Sequence, residues 1–252
     1  MNAVTLNNVC KQYQQLGNTT PFSLENISFS VEQEIFVLVG ANGSGKTTLL
    51  SLIAGFTNLD SGNINIEGAG KRPIFGYLWQ DYRQSNLPWL SVLDNVAFPL
   101  VLMGKSKNES RDIAEKLISV FAPEISREKL VYQISGGQQQ IVALLRSICA
   151  EPDVILADEP FSAFDQKRRW DSIEKFEKIW LSLKKPVVWV SHDIDEALLI
   201  ADKIGLLSKK TKGLVKIITI DFPRPRVPSE LLRSQKFITQ RNEIIDFLSA
   251  EY

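Results

Sequence analysis

The sequence predicts an α/β protein: a parallel-sheet core around a glycine-rich loop, with an antiparallel β edge and a long, mainly helical stretch. Three observations carry this. Ile35 to Val39, Val154 to Ala157 and Val187 to Val190 are continuous apolar runs of strand length, the kind found where parallel strands are covered on both faces. The first run enters a glycine-rich loop and then a helical pattern from Leu49 to Ala54. From about Asp81 to Ala150 helical spacing dominates, with Ile113, Leu117 and Phe121 on one face.

The remaining elements follow along the chain. Val4 to Val9 and Phe22 to Val31 read as the antiparallel edge, with Gln14 to Thr20 as part of their connection. Pro99 is expected to interrupt a helix from Val92 to Met103, since proline lacks the N–H that a helix interior uses. Val142 to Ala150 continues a helix that starts near Ser135. Gly205 to Ile220 reads as late strands around a polar turn from Lys209 to Gly213. The segment PRPRVPSE then breaks regular structure, and Glu230 to Ala250 forms a terminal helix. There is no internal repeat and no low-complexity tract.

Composition narrows the function classes. A chain of 252 residues suffices for one large core or two subdomains. Lysine plus arginine equals aspartate plus glutamate at 29 each, so no overall basic field recruits nucleic acid or anionic lipid. Cys10 and Cys149 have neither metal nor disulfide-framework spacing, which fits free thiols in a reducing compartment, and neither is a nucleophile candidate. No apolar run of roughly eighteen residues occurs and the N-terminus lacks a targeting pattern, so any membrane role is expected to come through partners.

Two motifs carry the chemistry. In GANGSGKTT, Gly40, Gly45, Lys46 and Thr47 occupy the fixed places of a phosphate loop, with Ala41, Asn42, Gly43 and Ser44 between and Thr48 after. Glycines let the backbone curl so that successive N–H groups face phosphate oxygens, and the following helix adds the positive end of its dipole. Lys46 would reach the β- and γ-phosphates as a point charge, and the Thr47 hydroxyl would ligate Mg²⁺. In VILADEP, an apolar strand ends in two acids: Asp158 is placed to hold the Mg²⁺ shell, and Glu159 is the candidate to polarise the attacking water. An exposed acid pair near a helix start is the plainer alternative. Together the motifs read as ATP binding and hydrolysis.

A third motif, ISGGQQQ, warrants a family. With the other two, Ser135, Gly136, Gly137 and Gln138 resemble the signature of ATP-binding-cassette (ABC) ATPases, although a serine before two glycines could also simply cap a helix. The resemblance spans about Val4 to Arg226. It implies that Gln80 in YLWQ is the Q-loop glutamine, able to contact Mg²⁺, that Ser162 to Asp165 form the D-loop, with Asp165 at the nucleotide, and that His192 in VSHD is the switch histidine contacting the γ-phosphate. Tyr13 is the candidate to stack on adenine, with packing as the alternative. The implied fold is a phosphate-loop ATPase core with an antiparallel β edge and an inserted helical subdomain. The implied division is 1–80 with 151–222 as the ATP-binding core, 81–150 as the helical signature subdomain and 223–252 as a C-terminal extension.

The family also implies assembly. Two cassettes pack head to tail, each closing ATP on the other's phosphate loop with its signature serine and glycines, so a second ATP-binding subunit, expected as a homodimer, is a partner. The stretch after Gln80, with Leu87-Pro88-Trp89 and Leu93-Asp94-Asn95-Val96, and FPRPR from Phe222 to Arg226, resembles importer subunits for nitrate, sulfonate, taurine or related solutes. That resemblance implies integral membrane permease subunits as partners, a solute-binding protein indirectly, and a peripheral place on the cytoplasmic face of the cell membrane. Trp89 would suit a contact anchor if exposed, or core packing if not. Three positions depart from the family pattern: Ile134 and Phe164 replace leucine, and Ile141 stands where arginine is usual, which puts one polar contact near the signature helix in doubt. A soluble ABC protein of translation or DNA repair would favour paired cassettes or a long coiled-coil insertion, and a non-hydrolysing module is opposed by Glu159 and His192.

Overall fold

The strands separate into two sheets, in a computed structural model that describes residues 2–13, 22–70, 72–162 and 164–251. β1 (Ala3–Tyr13), β2 (Phe22–Val31) and β4 (Ser61–Glu67) pair antiparallel in the order β2-β1-β4. The larger sheet runs β5-β6-β7-β3-β8-β9. Its members are β3 (Ile35–Gly40), β5 (Phe75–Leu78), β6 (Val154–Asp158), β7 (Val187–Ser191), β8 (Lys203–Ser208) and β9 (Gly213–Thr219). All neighbours are parallel except β8 and β9. β3, β6 and β7 are buried along their whole lengths, which is why their sequences are unbroken apolar runs rather than alternating ones.

Helices cover this sheet. α1 (Lys46–Ile53) follows the phosphate loop, and α2 (Tyr82–Ser85), α3 (Val92–Leu102), α4 (Lys107–Phe121) and α5 (Gly136–Cys149) follow β5. α6 (Gln166–Leu183) and α7 (Ile194–Ile200) precede β7 and β8, and α8 (Pro228–Leu231) and α9 (Gln235–Glu251) end the chain. One apolar cluster joins the sheet face to α3, α5, α6 and α7; a second fills the space between the two sheets and α1. There Phe29 of β2 stacks on Phe36 of β3 at 4.5 Å between ring centres.

Several expectations change. Pro99 does not interrupt its helix: Met103 N–H still donates to the Pro99 carbonyl at 3.1 Å, and the only backbone bond removed is the one to the Asn95 carbonyl. The helix is held instead by packing of Val92, Leu93, Val96 and Leu100. The terminal helix is two pieces, because the chain turns at Leu232 to Ser234 between α8 and α9. β1 continues past Val9 to Tyr13, and β4, β5 and α6 had no counterpart in the expected elements. The expected connection from Gln14 to Thr20 lies outside the described residues.

The two arginines of FPRPR form a clamp on the neighbouring elements. Arg226, 5% exposed, donates to the Ala201 carbonyl at 2.7 Å and to Leu199 at 3.2 Å, closing the C-terminal end of α7, while its backbone N–H donates to Glu177 of α6 at 2.7 Å. Arg224 bridges Glu177 and Asp202, and Asp202 in turn accepts from the Ile35 N–H at the start of β3 at 2.8 Å. Burial and the neighbouring Arg224 push the Arg226 guanidinium down to about 10, so it stays a cation at neutral pH.

Candidate nucleotide site

β3 ends at Gly40, and the turn from Ala41 to Gly45 delivers the chain into α1. Gly45 has φ of 101°, a left-handed conformation that side-chain-bearing residues rarely adopt. At Gly40 the neighbouring β8 backbone passes so close that a Cβ would lie 2.4 Å from the Leu207 carbonyl oxygen. The two glycines are therefore required by a turn and by a close approach respectively. Above the turn lies a cavity of about 690 Å³, lined by Asn42, Gly43, Gly45, Lys46, Thr47 and Thr48 on one side and by Tyr13, Phe22, Gln80, Glu159 and His192 on the others.

Four elements bring their functional groups to this place because the strands are parallel and all end on the same side. Lys46 is 6% exposed, and its ammonium donates to the carbonyls of Gly40 at 2.8 Å and Ala41 at 3.0 Å. Burial lowers its pKa, and the carboxylates of Glu159 and Asp158 oppose that shift. Thr47 donates its hydroxyl proton to Asp158 Oδ1 at 3.2 Å. Asp158 is 7% exposed at the end of β6, and burial raises its pKa against the lowering effect of that hydrogen bond. This is not the exposed acid pair of the plainer reading.

Glu159 sits one residue past β6 with φ of 45°, a strained conformation that tertiary contacts must hold. Its N–H donates to the Val190 carbonyl of β7 at 3.0 Å, which ties the turn to the next strand. Its carboxylate lies 2.8 Å from Nδ1 of His192, the residue that follows β7; the glutamate side chain is 15% exposed and the imidazole 50%. Gln80 reaches the rim from the segment after β5. Tyr13, at the end of β1, is not packed away: it lines the cavity with its ring centre 6.0 Å from that of Phe22. Phe22 carried no motif and was missed as a site residue; its proximity depends on β1 pairing with β2, where Tyr13 faces Phe22.

Other candidates lie apart from the cavity. Ser135 caps α5: its hydroxyl accepts from Gln138 N–H at 3.3 Å, and Gln138 Oε1 accepts from the Ser135 N–H at 3.1 Å. Ser135, Gly136, Gly137 and Gln138 contribute nothing to the cavity lining, nor does Asp165, which caps α6 by accepting from Arg168 N–H at 3.1 Å. Of the D-loop, Ala163 lies outside the described residues. Ile141 is buried in the core cluster rather than on a polar face.

The polar groups of the site fit a nucleotide and a divalent cation. Ser44 Oγ is buried in the loop with no hydrogen-bond partner among the described residues, as expected of a donor aimed at an absent acceptor. The Thr47 hydroxyl and Asp158 carboxylate form an oxygen pair suited to Mg²⁺, which commonly binds through one or two protein oxygens plus substrate phosphates. No group of three or more His, Cys, Asp or Glu among the described residues could hold a metal ion.

A second concavity, of about 350 Å³, opens between α3, α5 and β5, lined among others by Tyr77, Trp79, Pro99, Leu102, Met103 and Arg146. Trp79 stacks on Tyr77 and Phe56, Leu102 is 71% exposed, and Trp89 nearby in sequence is 69% exposed, which removes the core-packing reading of Trp89.

The chain is similar to known proteins over most of its length. A family model described as ABC transporter matches residues 24–162. The chain is 36% identical to the taurine import ATP-binding protein TauB of Escherichia coli K12, over 88% of this chain and 90% of that protein. It is 34% identical to the nitrate import ATP-binding protein NrtC of Synechococcus elongatus over 93% of this chain, which spans about a third (36%) of that longer protein. A solved dimeric structure of a bacterial ABC transporter cassette superposes with a TM-score of 0.71 at 27% identity, covering 87% of this chain and 100% of that one.

Proposed function

Because the chain belongs to the ABC transporter family, we propose that it is the ATP-hydrolysing subunit of a membrane importer for a small solute, working as one of a pair of cassettes beneath permease subunits. The observation that carries the reading is the convergence of Lys46, Thr47, Glu159, His192 and Gln80 on one cavity floored by the phosphate loop, with Asp158 hydrogen-bonded to Thr47 behind it.

Loop N–H groups and the Lys46 ammonium bind the phosphates, with the ammonium exchanging its two neutral carbonyl contacts for anionic oxygens. Tyr13 and Phe22 offer aromatic faces at the far end of the cavity, where adenine would stack. Thr47 and Asp158, with Gln80 at the rim, would hold Mg²⁺, which neutralises charge on the phosphate oxygens when bound. Glu159 is held by its strained turn as the base that orients and deprotonates water. His192, hydrogen-bonded to Glu159, can donate to the terminal phosphate and fix the carboxylate's direction.

Ser135 and the glycines that follow cap a helix whose N-terminus carries a partial positive charge, and in this reading they close the cavity of a second copy. That the signature contributes nothing to its own chain's cavity, and that a relative of 27% identity is dimeric, support the pair. The groove of Trp79, Leu102 and Met103, with Trp89 exposed beside α3, is the docking face for permease subunits. No helix among the described residues is long and apolar enough to cross a membrane, so attachment at the cytoplasmic face runs through those subunits, and a solute-binding protein acts only indirectly. The taurine and nitrate relatives point to a small anionic or zwitterionic solute, chosen by the other subunits. The balanced charge of the chain supports no nucleic-acid partner.

The test is turnover by Glu159→Gln. ATP hydrolysis is expected to fall at least about a hundredfold, the scale of a lost general base, with nucleotide binding retained; full turnover would sink the assignment.

A further inference from the structure

We propose that Arg169 is a positioning residue for His192: it ties the loop ending at Asp165 to the segment that carries the histidine, so that His192 meets Glu159 only when that loop is in place. The inference rests on the reading above.

Arg169 lies in the first turn of α6, one turn beyond Asp165. One of its terminal nitrogens, Nη1, pairs with Asp193 Oδ2, and the other, Nη2, donates to the Phe164 carbonyl at 3.2 Å. Only a planar guanidinium offers two donors at a spacing fixed enough to span a carboxylate and a carbonyl on different segments. Its Nε is buried without a hydrogen-bond partner, so the whole grip on both segments is made by the two terminal nitrogens.

Asp193 cannot swivel away from this grip. Its second carboxylate oxygen accepts from Glu196 N–H at 3.1 Å, and its own N–H donates to Ser191 Oγ at 3.0 Å. His192 is the residue between Ser191 and Asp193, so its backbone is fixed from both sides, whereas its half-exposed ring has Glu159 as its hydrogen-bond partner. The ring is therefore placed by the backbone beneath it. On the other side, Phe164 N–H donates to the Phe161 carbonyl at 3.2 Å, which anchors Phe164 to the segment after β6. The physical path runs from the Phe164 carbonyl through Arg169 and Asp193 to His192 and Glu159. If the loop before α6 meets a second cassette, as the functional reading has it, arrival of that cassette is transmitted to the histidine along this path.

The experiment is steady-state ATPase kinetics of the full chain with Arg169→Met, Arg169→Lys, His192→Ala and the double variant Arg169→Met with His192→Ala, alongside ATP affinity and thermal melting. Arg169→Met is expected to lower kcat about tenfold or more while KM and ATP affinity stay within about twofold, since misplacing a reacting group costs rate rather than ground-state binding. Arg169→Lys, which keeps the charge but not the fork, should fall between. The double variant should match His192→Ala alone, as expected of residues acting as a unit. Wild-type kcat in Arg169→Met would overturn the proposal, as would losses that multiply in the double variant or a fall in ATP affinity and melting temperature in both Arg169 variants. A wild-type chain without ATP turnover, or His192→Ala with full turnover, would instead overturn the functional reading itself.

Discussion

Glu196 offers a sharp test of the electrostatics beneath the switch segment. Its carboxyl is buried in α7 and accepts from the Trp189 indole N–H at 2.8 Å, and burial pushes it up from the ordinary 4.5 to about 7, with Asp193 adding to the rise and Arg169 opposing it. The folded protein thus holds a proton there that the unfolded chain releases at about pH 4.5. Stability from this group is fully present below that pH and is lost as pH rises through about 7. At about 1.4 kcal/mol for each pH unit between the two values, the loss amounts to about 3 kcal/mol. Glu196→Gln keeps an oxygen for Trp189 and removes the titration, at a pH-independent cost of about 1–3 kcal/mol for an unpaired amide donor. Urea unfolding of both proteins from pH 4.5 to 8 is the assay. The variant should gain on the wild type by about 3 kcal/mol across that range, and other carboxylates cancel in the difference. A stability difference that stays flat with pH would refute the reasoning.

Two further perturbations follow from the fold. Gly40→Ala drives a methyl to within 2.4 Å of the Leu207 carbonyl on β8, so β3 and β8 must part locally; a loss of about 1–3 kcal/mol in chemical denaturation is expected, together with weaker ATP binding. Arg226→Met strips the buried guanidinium from the Leu199 and Ala201 carbonyls at the end of α7 and leaves them unpaired, while the backbone N–H to Glu177 stays; a loss of about 1–3 kcal/mol is expected in the same measurement, with the ATP affinity of the folded fraction unchanged.

The phosphate loop and the acid-tipped strand were legible because their chemistry needs fixed residues at fixed short spacing, and β3, β6 and β7 because double burial leaves nothing polar in them. β4 was not legible. Its sequence SGNINIE is mostly exposed and holds only Ile64 and Ile66 as apolar anchors, and its pairing to β1 joins residues more than fifty positions apart. β5 is four residues long with a glycine inside, and exists because β6, some eighty residues later, lies beside it. The roles of Arg224 and Arg226 depend on Glu177, nearly fifty residues earlier, so FPRPR could be matched as a string but not read as a clamp. Phe22 and Arg169 reach their places through tertiary pairing that no local pattern announces.

β7 pairs with β3 on one side and β6 on the other, and Val187 stands opposite both Ile35 and Ile155. A single alignment thus sets how far His192 lies from Glu159 and how far both lie from Lys46. Inserting one residue within any of these three strands would shift a reactive side chain by about 3.3 Å along its strand and turn its neighbours to the opposite face. The turn from Lys209 to Lys212 joins β8 to β9 on the far side of the sheet from β6, away from that alignment. A library of single-residue insertions should accordingly divide the chain into a short intolerant frame and permissive joints, with reporter peptides accepted in the 209–212 turn and rejected between 154 and 158.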